Sequence, residues 1–82
     1  MLDINTEELI LIYLEGFDEL RNESEVPYGM TPRGIIEGIR ASEEETYNSL
    51  ESLVDDDLVE EDVRSVTGLE NKRNVYFLSE KG

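Results

Sequence analysis

An α+β fold, three helices followed by a small antiparallel β-hairpin, is predicted by three features of the sequence. A long amphipathic segment opens the chain, and two shorter ones follow, each starting at a capping residue. Two runs rich in Val, Tyr, Phe and Leu then close it, on either side of a polar, glycine-containing loop. Eighty-two residues suffice for one such domain, 1–82, with a modest core.

The first helix is predicted over "INTEELILIYLEGFDEL", residues 4–20. Asn5 is placed to cap it, Glu8 stands three residues on in a capping box, and Ile4 is positioned to staple onto Leu9. Residues 10, 13, 14, 17 and 20 form one apolar stripe, widened by Leu9, Leu11 and Ile12. Gly16 costs this helix about 1 kcal/mol relative to alanine, so close packing is expected there. "VPYGM" follows a polar loop and, broken by Pro27 and Gly29, reads as a short edge strand or extended lead-in.

The second helix begins at Thr31 and Pro32, a good cap followed by the residue that suits the first helical position, and buries Ile35, Ile36 and Ile39. "RAS" is the turn into a third helix, capped by Ser42 with Glu45 in the capping-box position. Its inward face is predicted to be Tyr47, Leu50, Leu53 and Val54. Its outward face carries Glu44, Glu45, Asn48, Ser49, Ser52, Asp55 and Asp56. Three aspartates at 55–57 oppose the negative end of the helix dipole and should end it. The strands are expected over 58–66 and 74–80, joined by "TGLENKR".

Composition narrows the function. Histidine and cysteine are both absent, which removes most zinc sites, disulfides and the usual nucleophile–base pairs, so an enzyme is not expected and neither is a cofactor. The aspartates and glutamates of 55–62 lack the alternating spacing and central glycine of a calcium loop. With no secretory signal and an apolar run of only "LILIYL", the chain reads as cytoplasmic and without a membrane partner. It carries 21 acidic and 7 basic residues, a net charge of −14, and five of the seven cations are arginine. That balance resembles proteins of salt-loving archaea; an acidic domain kept soluble by its own repulsion is the plainer alternative.

The order helix, short strand, helix, turn, helix, strand, loop, strand is that of a winged helix-turn-helix. "TPRGIIEGIRASEEETYNSLESLVDDDLVEE" and "NVYFLSEKG" resemble the corresponding segments of MarR-like and related archaeal transcriptional regulators. The resemblance covers residues 6–82, and departs from the family's usual Thr at Ser79. It implies that the third helix enters the major groove of double-stranded DNA while the wing touches phosphate or the minor groove. The base-facing candidates are then Ser42, Glu43, Glu44, Glu45, Asn48, Ser49 and Ser52. Asn71, Lys72, Arg73 and Asn74 are the wing candidates, and Arg33 and Arg40 flank the second helix. In such regulators a further helix, often used for dimerisation, follows the last motif. The chain therefore reads as a stand-alone minimal domain or, the favoured alternative, as the N-terminal part of a longer protein, with any dimer contact coming from segments beyond Gly82.

Charge complicates that assignment. Residues 43–62 hold ten acids and no base, whereas 63–74 hold Arg64, Lys72 and Arg73 against Glu70 alone. Non-specific DNA affinity comes mainly from phosphate neutralisation, so a lone domain with so few cations is expected to bind weakly. Glu43 to Glu45 either comfort the positive end of their helix or accept from cytosine N4. A protein-interaction module, docking an acidic third helix onto a basic partner or another domain of the same chain, is the competing expectation. Tyr13, Tyr47 and Tyr76 are assigned to the core, with Tyr28 left between core and surface.

Overall fold

The computed structural model describes residues 5–80. The staple from Ile4 and the end of the closing motif at Lys81 and Gly82 lie outside them. The chain runs α1 (Thr6–Glu15), β1 (Glu25–Val26), α2 (Pro32–Ile39), α3 (Glu43–Asp55), β2 (Val59–Val66) and β3 (Arg73–Leu78), with 3₁₀ turns at Asp18–Leu20 and Tyr28–Met30. Three helices are thus followed by a β-hairpin, a winged-helix-like layout within an α+β fold.

Caps act where the sequence puts them. Asn5 accepts from the Glu8 N–H and Thr31 Oγ1 from the Gly34 N–H, with Pro32 at the start of α2. α1 is shorter than predicted. Gly16 disfavours continuation and no cation stands in its last turn, so the chain tightens into i→i−3 bonds, Gly16 N–H to Tyr13 O and Phe17 N–H to Leu14 O, before the Asp18–Leu20 turn. Gly16 is not the site of close packing either: a Cβ there would meet its nearest neighbour at 3.5 Å, an ordinary contact. Close approaches occur instead at Gly34, where α2 crosses the backbone of the Tyr28–Met30 turn, and at Gly29 and Gly38, against the side chains of Tyr13 and Phe17 and the ring of Tyr13 respectively.

α3 ends as its aspartates require. Asp57 takes a left-handed conformation (φ 61°). Its N–H bonds Val54 O while the Leu58 N–H reaches Leu53 O, the paired bonds of a Schellman motif. Leu58 then packs against the core cluster that contains Leu53.

β2 and β3 pair antiparallel, Val59 opposite Leu78 through Arg64 opposite Arg73. The short edge strand makes the sheet mixed: β1 lies parallel to β2, Glu25 beside Ser65 and Val26 beside Val66. Two residues cannot continue as a strand here, because Pro27 lacks an N–H and the chain turns immediately into Tyr28–Met30. Alternation along the hairpin divides the core. Val59 and Tyr76 join Ile10, Leu14, Ile35, Leu50 and Leu53 beneath the helices. Val66, Val75 and Phe77 join Val26 and Met30 on the other face. Phe17 packs against both clusters.

Candidate nucleic-acid interface

The helix that would read DNA is exposed along one side, but its first turn is already engaged. Ser42 Oγ accepts from the Glu45 N–H at 3.1 Å, which is half of the predicted capping box. The returning half is absent, because the Glu45 carboxylate accepts instead from Thr6 Oγ1 at 2.9 Å, in the first turn of α1. Glu45 thereby places a negative charge at the positive ends of two helices. Glu43 stands 3.9 Å from Arg33, both side chains more than half exposed, so that pair contributes little. Ser42, Glu44 and Asn48 are exposed, while Ser49 and Ser52 are half-buried.

One inward assignment is corrected. The buried residues of α3 are Thr46, Leu50 and Leu53, and Tyr47 is 43% exposed. Thr46 tolerates complete burial because its hydroxyl donates to Ser42 O at 2.8 Å, leaving no polar atom unpaired. With threonine in the core the buried stripe rotates by one residue, and Tyr47 moves to its edge. Tyr28 is exposed as well. Tyr13 is half-buried, its O–H donating to Gly29 O at 2.9 Å.

The cations divide into two groups. Arg21 donates to Glu60 at 2.9 Å and to Leu78 O, and Arg64 donates to Asp62 at 2.9 Å and to Glu23 O. Both guanidinium groups lie over the Phe77 ring, 5.4 and 4.7 Å from its centre. These two arginines hold the β-hairpin to the segment after α1, a role the sequence did not disclose. Asp62 accepts from Arg64 and from the Val63 N–H, which holds its carboxyl below the ordinary aspartate range.

Among the described residues, four exposed cations remain: Arg33, Arg40, Lys72 and Arg73. Arg40 closes α2 in a left-handed conformation (φ 58°), where glycine is the easier choice. Asn71, Lys72, Arg73 and Asn74 are exposed at the wing, and Arg73 bonds only carbonyls of its own loop, Asn71 O and Lys72 O.

Arg33 and Arg73 meet across a groove of about 430 Å³ that also takes in Tyr28, Tyr47, Leu69 and Asn74. It runs between the start of α2, the middle of α3 and the wing. On the other side of Tyr47 a second cleft, about 280 Å³, is bounded by Glu51, Asp55, Glu61 and Tyr76. There the Tyr76 O–H donates to Glu61 at 2.5 Å. Burial first, then that bond and the Glu61 charge, push the phenol well above its ordinary ionisation range. A third depression, about 540 Å³, lies along α1 beside Ile12, Leu58 and Leu78 and contains none of the predicted site residues.

Comparison with known proteins adds no identity: no family model, no curated protein and no solved structure matches the chain. The geometry therefore stands alone. No group of His, Cys, Asp or Glu among the described residues is arranged to hold a metal ion, and no helix among them is long and apolar enough to cross a membrane.

Proposed function

We propose that the domain is the DNA-binding module of a transcriptional regulator of the MarR-like, archaeal type, from a salt-loving organism. It lays α3 and the wing on double-stranded DNA. The observation that carries this reading is the meeting of Arg33 and Arg73 across one groove beside the exposed side of α3. In a chain of net charge −14, two exposed guanidinium groups brought from separate elements to one opening form a place for phosphate. Lys72 stands next to Arg73 in the wing and Arg40 at the far end of α2 is a further exposed cation outside the groove, and Ser42, Glu44 and Asn48 are then the side chains left to face base edges. Four cations neutralise few phosphates, so the domain works as a dimer or within a longer polypeptide.

Anisotropy titration of a labelled random-sequence duplex at several salt concentrations tests this. Arg33→Ala with Arg73→Ala should weaken binding and reduce the salt slope by roughly 0.9 for every phosphate that is no longer neutralised. An unchanged slope rejects the assignment.

A second reading rests on the carboxylates of α3. If the acidic face docks onto a basic protein surface or another domain of the same chain, Glu44→Lys abolishes that capture, whereas on DNA the same change tightens binding. Glu44 is the position to reverse because Glu45 is tied to Thr6.

A further inference from the structure

The groove that joins Arg33 to Arg73 is built for more than phosphate. Tyr28 and Tyr47 form two of its sides at 41% and 43% exposure, and Leu69 of the wing loop adds a third exposed apolar group at 37%. The one ring–ring contact among the described residues is between Tyr13 and Phe17, so the faces of Tyr28 and Tyr47 are not stacked on each other or on a third ring. The Tyr28 O–H donates to Glu37 at 3.3 Å.

Continuous duplex DNA has little use for such rings. Its bases are stacked inside the helix and offer the grooves their edges and the thymine methyl, so a tyrosine face finds no base face to stack on. An unpaired strand presents base faces, and proteins that hold one combine a cationic track for the backbone with aromatic platforms for the bases. Both components coincide here, on a surface that is otherwise acidic.

We infer that this groove seats unpaired nucleotides, their bases on Tyr28 and Tyr47 and their phosphates on Arg33 and Arg73. The domain therefore prefers a junction between duplex and single strand to a continuous duplex. The inference deepens the DNA-binding reading and rests on it. It also answers the shortage of cations, because stacking draws on ring area and does not require displacing counterions.

The test compares three labelled probes by anisotropy with the 82-residue chain: a blunt duplex, the same duplex with a short thymidine overhang, and the overhang strand alone. The overhang should improve affinity about tenfold over the blunt duplex. Tyr28→Ala with Tyr47→Ala should erase that gain, so that the variant binds overhung and blunt probes with equal affinity, while Tyr28→Phe with Tyr47→Phe keeps the difference. Both positions are exposed, and circular dichroism establishes that the variants fold. Equal affinity for blunt and overhung probes overturns the inference and leaves the duplex reading standing. Binding of the overhang strand without any duplex binding overturns the duplex reading and supports the groove. An acidic aromatic peptide that competes as well as the thymidine strand overturns the assignment to nucleic acid, and failure to bind all three probes overturns both.

Discussion

Gly34→Ala tests whether the close crossing of α2 over the preceding turn is as tight as the structure makes it. By intrinsic preference alone, alanine at a helical position improves stability by about 0.8–1 kcal/mol. Here the added Cβ would run into the Tyr28 carbonyl oxygen and lie 2.7 Å from the Gly29 Cα. Both obstacles are backbone, so no rotamer change relieves them, and α2 must lift from the Tyr28–Met30 turn. Overpacking of this kind costs about 1–3 kcal/mol, and at a backbone obstacle the upper end applies. The net expectation is a loss of about 2 kcal/mol. For a domain of this size a urea slope near 1 kcal/mol per molar is typical, so the midpoint should fall by roughly 2 M. Gly16→Ala supplies the opposite sign. Gly16 has φ −66°, a conformation alanine adopts freely, and a Cβ there would meet nothing nearer than 3.5 Å, so that variant should gain a few tenths of a kcal/mol. Urea denaturation followed by circular dichroism distinguishes them. If Gly34→Ala equals or exceeds the parent in midpoint, α2 does not pack on the turn as described, and the placement of Arg33 at the groove falls with it.

Three further outcomes follow from individual contacts. Ser42→Ala leaves the Glu45 N–H uncapped and should cost about 1 kcal/mol in urea denaturation; stability equal to the parent would show that water replaces the cap without loss. Tyr76 ionises at higher pH in the folded chain than in the unfolded one, so its contribution is fully present below the unfolded value of about 10 and declines as pH rises beyond it. Tyr76→Phe should therefore flatten the alkaline fall in stability, and a parent and variant that lose stability in parallel above pH ~10 contradict this. Asp62 has the reverse sign: its folded carboxyl titrates below its unfolded one, so its contribution is present above the ordinary aspartate range and is lost as pH falls through the lower folded value. Asp62→Asn should remove part of the acid-side decline, read as melting temperature against pH.

What could be read from the sequence was whatever local chemistry decides. Asn5, Thr31 and Ser42 cap because each carries a short side-chain oxygen that reaches the N–H three residues on, and the hairpin is visible in its β-branched and aromatic content. What could not be read depended on tertiary neighbours. Thr46 counts as polar until Ser42 O is found to accept its hydroxyl, and that single bond exposes Tyr47. Glu45 has the right spacing for a capping box, yet Thr6, 39 positions away, takes its carboxylate. Arg21 and Arg64 look like any other cations along the chain. Their position over Phe77, which joins β3 to the segment after α1, is set by the fold and leaves both side chains largely covered.

The same distribution answers why an acidic domain could still address a polyanion. The quantity that matters is not the sum of charges but their arrangement about Tyr47, which borders both the groove of Arg33 and Arg73 and the cleft of Glu51, Asp55 and Glu61. A Debye length of about 8 Å at physiological ionic strength screens carboxylates on the far side of the domain, but not those against the groove itself, Glu43 at 3.9 Å from Arg33 and Glu37 bonded to Tyr28. At about 1 M salt the length shrinks to roughly 3 Å, and even these neighbours fade while direct guanidinium–phosphate contact survives in part. Added salt thus weakens the attraction and lifts the nearest repulsion together. On the proposed DNA-binding reading, acidity on α3 costs such a domain least in strong salt, and the carboxylates of the second cleft disfavour turning that edge of α3 toward phosphate.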